Sequence, residues 1–215
     1  MDINPQQAPR IDYPAPDPAK PYVYPGTPIL INHFGIRSME VLQRVVATVA
    51  RLRGDQLNAN PLRGDHDLPH LCEIHRALFQ DIFAWAGQIR IVDTEKHGQD
   101  FVRAADIPGS FQLLHDELKA ENFLRDLDPE EFADRLAHYW YGIYAVHVFR
   151  DGNSRTMRHF FAGLAAAAGH PLDFAAIEPT ALLTACRNRY FKDDMEPLRD
   201  CLRQIIRPAS ADFLS

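Results

Sequence analysis

His147-Val-Phe-Arg-Asp-Gly-Asn-Ser-Arg-Thr-Met-Arg158 is the run on which the reading of this chain turns. Ahead of it Phe132, Leu136, Trp140 and Ile143 recur at helical spacing, and behind it Met157, Phe160, Phe161 and Leu164 do the same. The run therefore bridges two helices, one ending near His147 and the next starting near Asn153. It sets an imidazole, a carboxylate, a Gly-Asn turn and two guanidinium groups at a helix start. A base takes a proton from an attacking hydroxyl, a carboxylate holds a divalent metal, and free N–H groups at a helix start cradle phosphate oxygens. On a helical wheel Arg155 and Arg158 lie within about 60° of each other and largely opposite the apolar stripe, which leaves both to face a ligand. Taken singly, each residue has a blander reading as a packed histidine or a plain turn. A structural turn has no need of all of them together.

Working outward, the helix that enters the run starts at Asp128-Pro-Glu-Glu131. There the acid caps the free N–H groups, the proline suits the first position, and the acids complement the dipole. A first helix is expected from a Ser38 cap to a Gly54 stop, with Leu42, Val45, Val46, Val49 and Leu52 on one stripe. A second starts at Asp67 before Pro69, carries Leu71, Ile74, Leu78, Ile82 and Trp85, and runs out at Gly87. His66, His70 and His75 lack metal-binding helical spacing and read as surface or packing histidines. Residues 88–94, a polar turn near Gly98, and Phe101-Val102 form the one clear strand signal, a short hairpin. A third helix follows Asp106 and Pro108 with Phe111, Leu114, Leu118 and Phe123, and two more are expected over residues 179–190 and 194–206. The last buries Leu198, Cys201, Leu202 and Ile205.

With 215 residues and 46% hydrophobic content, the chain has material for one well-buried domain. Residues 1–28 hold eight of the sixteen prolines, which precludes a continuous helix, so they are expected to form an extended arm. Tyr13, Tyr22 and Tyr24 would dock that arm onto the body, or serve as acceptors for self-modification. The domain itself is placed at residues 29–208, with a tail over residues 209–215. A net charge of −6 and a pI near 5.9 exclude a general nucleic-acid binder, which needs a basic surface. Cys72, Cys186 and Cys201 have no paired ligand spacing and read as small buried residues in a reducing compartment. Without a span-length apolar stretch or a basic-then-apolar leader, the chain is expected in the cytoplasm, with a non-Sec secretion route left open.

The run resembles the signature of the Fic family, H-x-F-x-[D/E]-G-N-x-R-x-x-R. The likeness extends to Tyr24-Pro-Gly-Thr-Pro-Ile-Leu-Ile-Asn32 before the first helix and to Phe83-Ala-Trp-Ala-Gly87 before the hairpin. The resemblance implies an all-α fold of about seven to eight helices with a small β-hairpin flap. It also implies a protein adenylyltransferase (AMPylation), moving AMP from ATP to a Tyr, Ser or Thr hydroxyl of a target protein and releasing pyrophosphate. His147 would be the base and Phe149 a core anchor. Asp151 would hold Mg²⁺ across the α- and β-phosphates, with Gly152, Asn153 and Ser154 as the anion hole. Arg155 would meet the β-phosphate and Arg158 the γ-phosphate, all in one triphosphate-sized hollow. The flap from Ile91 to Phe101, with Val92, Asp93, Thr94, Lys96 and His97, would dock the target segment by strand addition. Many members carry a second glycine where this chain has Ser154, which puts nucleotide choice and rate in question. Gly152 argues against the related Doc-like branch, whose motif reads Ala-Asn-Lys there.

The family's inhibitory helix carries [S/T]-x-x-x-E-[G/N], and here no Ser or Thr has Glu four residues later. The chain resembles members restrained by a separate small antitoxin, whose glutamate would contact Arg158, with an unrestrained effector or restraint by oligomerisation as the alternatives. Transfer of another phosphate-containing moiety through the same pocket is the alternative enzyme reading. The competing class is a catalytically silent module using the flap as a docking edge, which has no use for a base aligned with a metal ligand.

Overall fold

A computed structural model describes residues 20–207. Seven α-helices and one two-stranded hairpin follow in the order α1 Met39–Ala59, α2 Leu68–Phe79, β1 Glu95–Lys96, β2 Gln99–Asp100, α3 Ile107–Ala120, α4 Pro129–Val146, α5 Asn153–Ala167, α6 Ala181–Lys192 and α7 Glu196–Ile205. The mainly helical fold with a small flap expected from the sequence is the observed one. Helix α4 is the central element. Phe132, Leu136, Trp140 and Ile143 are all buried, and Asp128 accepts from the N–H groups of Glu130 and Glu131 at its start. Met157, Phe160, Phe161 and Leu164 of α5 are buried likewise, and Trp140 stacks on Phe161 at 4.7 Å.

Three expectations are corrected. Gly54 does not stop α1, which continues to Ala59. The buried row is Leu42, Val46, Ala50 and Gly54, leaving Leu52 53% exposed. Gly54 instead makes room for a neighbour, since a Cβ there would sit 3.1 Å from Nε2 of His159 on α5. Helix α2 ends at Phe79, not Gly87, because residues 80–87 pass through turns that bury Ile82, Phe83 and Trp85 against the core. Residues 88–94 form no strand. The hairpin pairs Glu95 with Asp100 and Lys96 with Gln99 around His97 and Gly98, whose φ values of 56° and 78° suit a two-residue turn matched to strand twist.

Residues 20–28 lie against the body. Val23 bridges to Leu30, Tyr24 is buried, and the buried Tyr22 ring packs edge-on to Trp85 at 5.6 Å. Docking is therefore the role of Tyr22 and Tyr24, whereas Tyr13, the rest of the arm and the tail over residues 209–215 lie outside the described residues. Cys186 is buried and Cys72 and Cys201 are half-buried, all three as free thiols.

His66, in the loop before α2, packs against Phe160 at 5.5 Å and His70 at 5.3 Å, while its carbonyl takes a hydrogen bond from His115. Burial first, then His70, Arg125 and His115, push its imidazole down to about 4, with Asp65 opposing. The folded value lies below the ordinary 6.5, so the unfolded chain binds the proton more readily and stability falls with acidification across this interval. A His66→Asn variant should flatten thermal stability measured from pH 7 to pH 4 by roughly 1–2 kcal/mol, a figure discounted for partial exposure.

Candidate active site

Helix α4 ends on His147 in the left-handed region (φ 49°, ψ 61°), and α5 begins behind Gly152 (φ 83°). Gly152 is required twice over, because a Cβ there would also come within 2.5 Å of the Phe79 ring. Between these two residues the chain makes a tight loop whose carbonyls are pinned from outside. Arg90 donates through Nε to His147 O at 2.7 Å and through Nη2 to Val146 O at 3.3 Å, and its backbone N–H reaches Val148 O at 2.9 Å. The Asn153 side chain pairs with both backbone groups of Phe149, at 2.7 and 3.0 Å. His75 reaches Asp151 O at 3.0 Å, and Thr156 Oγ1 holds Gly152 O at 3.1 Å. With the carbonyls engaged elsewhere, the first amides of α5 are left to face the open side.

That open side consists of two adjoining hollows. One, of about 330 Å³, is lined by His147, Asp151, Gly152, Asn153, Ser154 and Arg155. The hairpin residues Lys96, His97 and Phe101 close it on the other side. The second, of about 900 Å³, runs along α1 and takes in Lys96, Arg150, Asp151, Arg155 and Arg158. The structure thus brings six of the seven motif residues singled out from the sequence around one hollow and sets Arg158 in the next, with Lys96, Asp151 and Arg155 on the shared wall. The combined space suits a nucleotide-sized ligand. Asn153 contributes its position at the helix start, since its side chain is spent on Phe149. Ser154 is exposed at the mouth.

The imidazole of His147 is 5% exposed and lies flat on Phe101, ring centroids 3.9 Å apart and 18° from parallel. Neither ring nitrogen has a well-aligned hydrogen-bond partner. Burial, reinforced by Lys96, Arg90 and Arg150, pushes it down to about 2, with the Tyr144 carbonyl opposing weakly. The cations around the hollows are desolvated too. Burial lowers Lys96 and Arg155 despite Asp151 nearby, and lowers Arg158, which meanwhile donates to Pro179 O at 2.7 Å and lies over the Phe174 ring. Arg155 lies over the Phe79 ring at 4.8 Å. A group of half-buried cations short of counter-charge is a site for a polyanion.

Asp151 is the one carboxylate of the motif, and its Oδ1 accepts from Gly152 N at 2.8 Å. Among the described residues no cluster of three or more His, Cys, Asp or Glu could hold a metal ion. A magnesium ion that keeps its waters and leans on phosphate oxygens needs only one such ligand, so the donor set fits a metal arriving with a nucleotide.

Of the flap residues singled out from the sequence, Lys96, His97 and Phe101 reach the hollow beside His147. Val92, Asp93 and Thr94 line a separate groove against residues 20–28, and Ile91 is 73% exposed at the hairpin root. Two residues that hold the site gave no such signal. Arg90 looked like a strand charge and is fully buried; His75 looked like packing and is 0% exposed. The His75 ring stacks on Phe149 at 3.8 Å and accepts at Nδ1 from Gly87 N at 2.8 Å, which fixes Nε2–H as the donor to Asp151 O. A sequence cue existed only in hindsight: His75 is a polar residue on the inward stripe of α2, between the apolar Leu71 and Phe79.

The fold and this arrangement define a helical domain with an imidazole and a group of cations beside a helix start. The Fic/DOC family profile matches residues 65–165. The chain is 40% identical over 162 residues to a probable protein adenylyltransferase Fic of Escherichia coli, covering 75% of this chain and 80% of that one. It is 33% identical over 193 residues to the protein adenylyltransferase VbhT of Bartonella schoenbuchensis, spanning 90% of this chain but only 39% of that longer protein. The crystal structure of the BepC protein of Bartonella tribocorum with bound AMPPNP matches with a TM-score of 0.83 at 27% identity, covering 88% of this chain and 97% of that one. An N-terminal Fic domain of a Bartonella quintana effector with bound ADP matches at 0.85 and 27%, over 90% and 98% of the two chains. The chain belongs to the Fic/DOC family. The enzyme class expected from the sequence, a nucleotidyltransferase, agrees with the names of these relatives.

His75→Leu keeps most of the volume but leaves Gly87 N and Asp151 O without their partner. Two orphaned buried groups should cost about 3 kcal/mol together, lowering Tm by roughly 6–12 °C. Calorimetry checks this, and an unchanged Tm would remove His75 from the loop's support.

Proposed function

We propose that this chain transfers AMP from ATP to a Tyr, Ser or Thr hydroxyl of a target protein, releasing pyrophosphate. The observation that carries this reading is the set of desolvated cations, Lys96, Arg155 and Arg158, ringing a helix start whose amides are open, with an imidazole alongside. His147 takes the proton from the acceptor hydroxyl as its oxygen attacks the α-phosphorus. The amides of Asn153 and Ser154 receive the phosphate oxygens, joined by that of Gly152 once Asp151 Oδ1 releases it, while Arg155 takes the β-phosphate and Arg158 the γ-phosphate. Arg158 gives up its contact with Pro179 O to do so. Asp151 would hold Mg²⁺, which would supply charge neutralisation when bound. Such a transfer depends mainly on alignment and neutralised charge.

The same geometry accounts for a base suppressed to a value near 2. Its imidazole is neutral and so able to accept a proton, but weakly basic because it is buried and because Lys96, Arg90 and Arg150 stand near it. Phosphates seated against Lys96 and Arg150 cancel their field and raise the basicity when the nucleotide is present. Activity thereby follows nucleotide binding.

The target segment docks on the hairpin, with Lys96, His97 and Phe101 nearest the base. Restraint is assigned to a separate small antitoxin that lays a helix along the apolar side of α1, lined by Leu42, Val46 and Ala50 up to Arg158, and puts a glutamate on that guanidinium. The reaction is placed in the cytoplasm of the producing cell or, by a non-Sec route, of a host. Among the described residues no helix is long and apolar enough to cross a membrane, and the VirB-translocated effectors among the structural neighbours accord with the second site.

His147→Ala should bind ATP as the unchanged chain does and lose about 10²–10⁴-fold in transfer rate. Labelled ATP, Mg²⁺ and host lysate, run beside that variant, read the effect directly. A labelled band that survives in the variant removes His147 as the base, and the absence of any band from the unchanged chain with any nucleotide favours a silent docking module.

A further inference from the structure

Arg90 is 1% exposed and forms no ion pair among the described residues. Its charge is dispersed over carbonyls alone: His147 O and Val146 O at the end of α4, Val92 O at 2.7 Å, and Val102 O. Val92 and Val102 are the two legs of the hairpin. A single planar fork therefore grips both legs of the target-docking element and both sides of the residue that carries the base. Burial lowers the guanidinium, with Asp93 and Tyr22 opposing, so the site retains a desolvated cation that a packed apolar side chain would avoid. No apolar or singly donating side chain could serve four acceptors from three segments at once. The cation also lies at the negative end of α4, where it offsets the dipole.

Three further links run in parallel. Arg90 N donates to Val148 O at 2.9 Å, Val102 N to Ala145 O at 3.1 Å, and the Tyr144 hydroxyl to Gln99 Oε1 at 2.7 Å. The Phe101 ring, on the second leg, lies flat on the imidazole itself. The base sits in a left-handed conformation that a histidine adopts only when its surroundings hold it there.

We infer that Arg90 is a positioning residue that locks the target-docking hairpin and the base-bearing loop into one body, so that a segment pressing on the hairpin also sets the imidazole. This rests on the transfer reading above for its consequence, though not for its geometry. A target that docks well aligns the base; an ill-fitting one leaves the imidazole under Phe101. Selectivity would then appear in the rate as well as in the affinity for the target.

Hydrogen exchange on the full chain, without nucleotide or target, tests the geometry. Amides of residues 92–102 and 145–149 should share one opening rate, and two independent rates in the unchanged chain would overturn the proposal. Arg90→Lys keeps the charge and loses the fork, so the two segments should separate into two rates. The same variant should lose about 10²-fold in kcat for AMP transfer, the cost of a misplaced group, and show a raised target KM with unaltered ATP affinity by calorimetry. Phe101→Leu, which leaves Arg90 in place, should keep the common rate. Loss of the common rate in Phe101→Leu but not in Arg90→Lys would make the ring stack the link and discard the assignment. An unchanged chain that shows the common rate yet transfers nothing sinks the transfer reading alone.

Discussion

Two helices that meet end to start leave orphan carbonyls on one side of the junction and orphan amides on the other, and the whole site depends on how those are satisfied. Here the carbonyls are taken up by side chains and amides from elsewhere in the chain: Ala145 by Val102, Val146 and His147 by Arg90, Asp151 by His75, and Phe149 by Asn153. The amides left at the start of α5 are the ones proposed to meet an anion.

Charge follows from the same construction. Lys96 comes from the hairpin, Arg150 from the loop and Arg155 and Arg158 from α5, so the cations converge from three directions on space that the protein does not fill. Their mutual repulsion and desolvation cost stability, and an incoming polyphosphate relieves both. Burial lowers the basicity of His147 most, and Lys96, Arg90 and Arg150 lower it further, so on the proposed reading phosphates seated by Lys96 and Arg150 would restore a part of it.

The hairpin shows how little regular structure a functional element needs. With two residues per strand it could not persist alone. Its order derives from Arg90 within its root, from the Tyr190 hydroxyl accepting from Asp100 N at 3.3 Å, and from Gln99 paired with Tyr144. The hairpin is thus anchored in the loop that carries His147.

Local signals sufficed for much of this molecule. The Asp128 cap, the apolar rows of α4 and α5, and the Gly152 turn follow from spacing within a few residues, so the helices around the motif and the residues facing the hollow were legible in order. Where a helix stopped was less so. Gly54 reads as a terminator until His159 is seen to need the space, and α2 reads onward to Gly87 until Ile82 and Trp85 find the core by another path. The two clamps were not legible at all: His75 meets Asp151 76 positions away and Arg90 meets His147 57 away, and neither distance leaves a periodic trace. The chain's sequence alone determined which chemical groups are present and on which face of a helix each one stands. Tertiary structure alone decided that Arg158 opens on a hollow adjoining that of His147, that Lys96 stands between them, and that a buried guanidinium ties the hairpin to the base, because burial and hydrogen-bond partners are set by segments that meet only after folding.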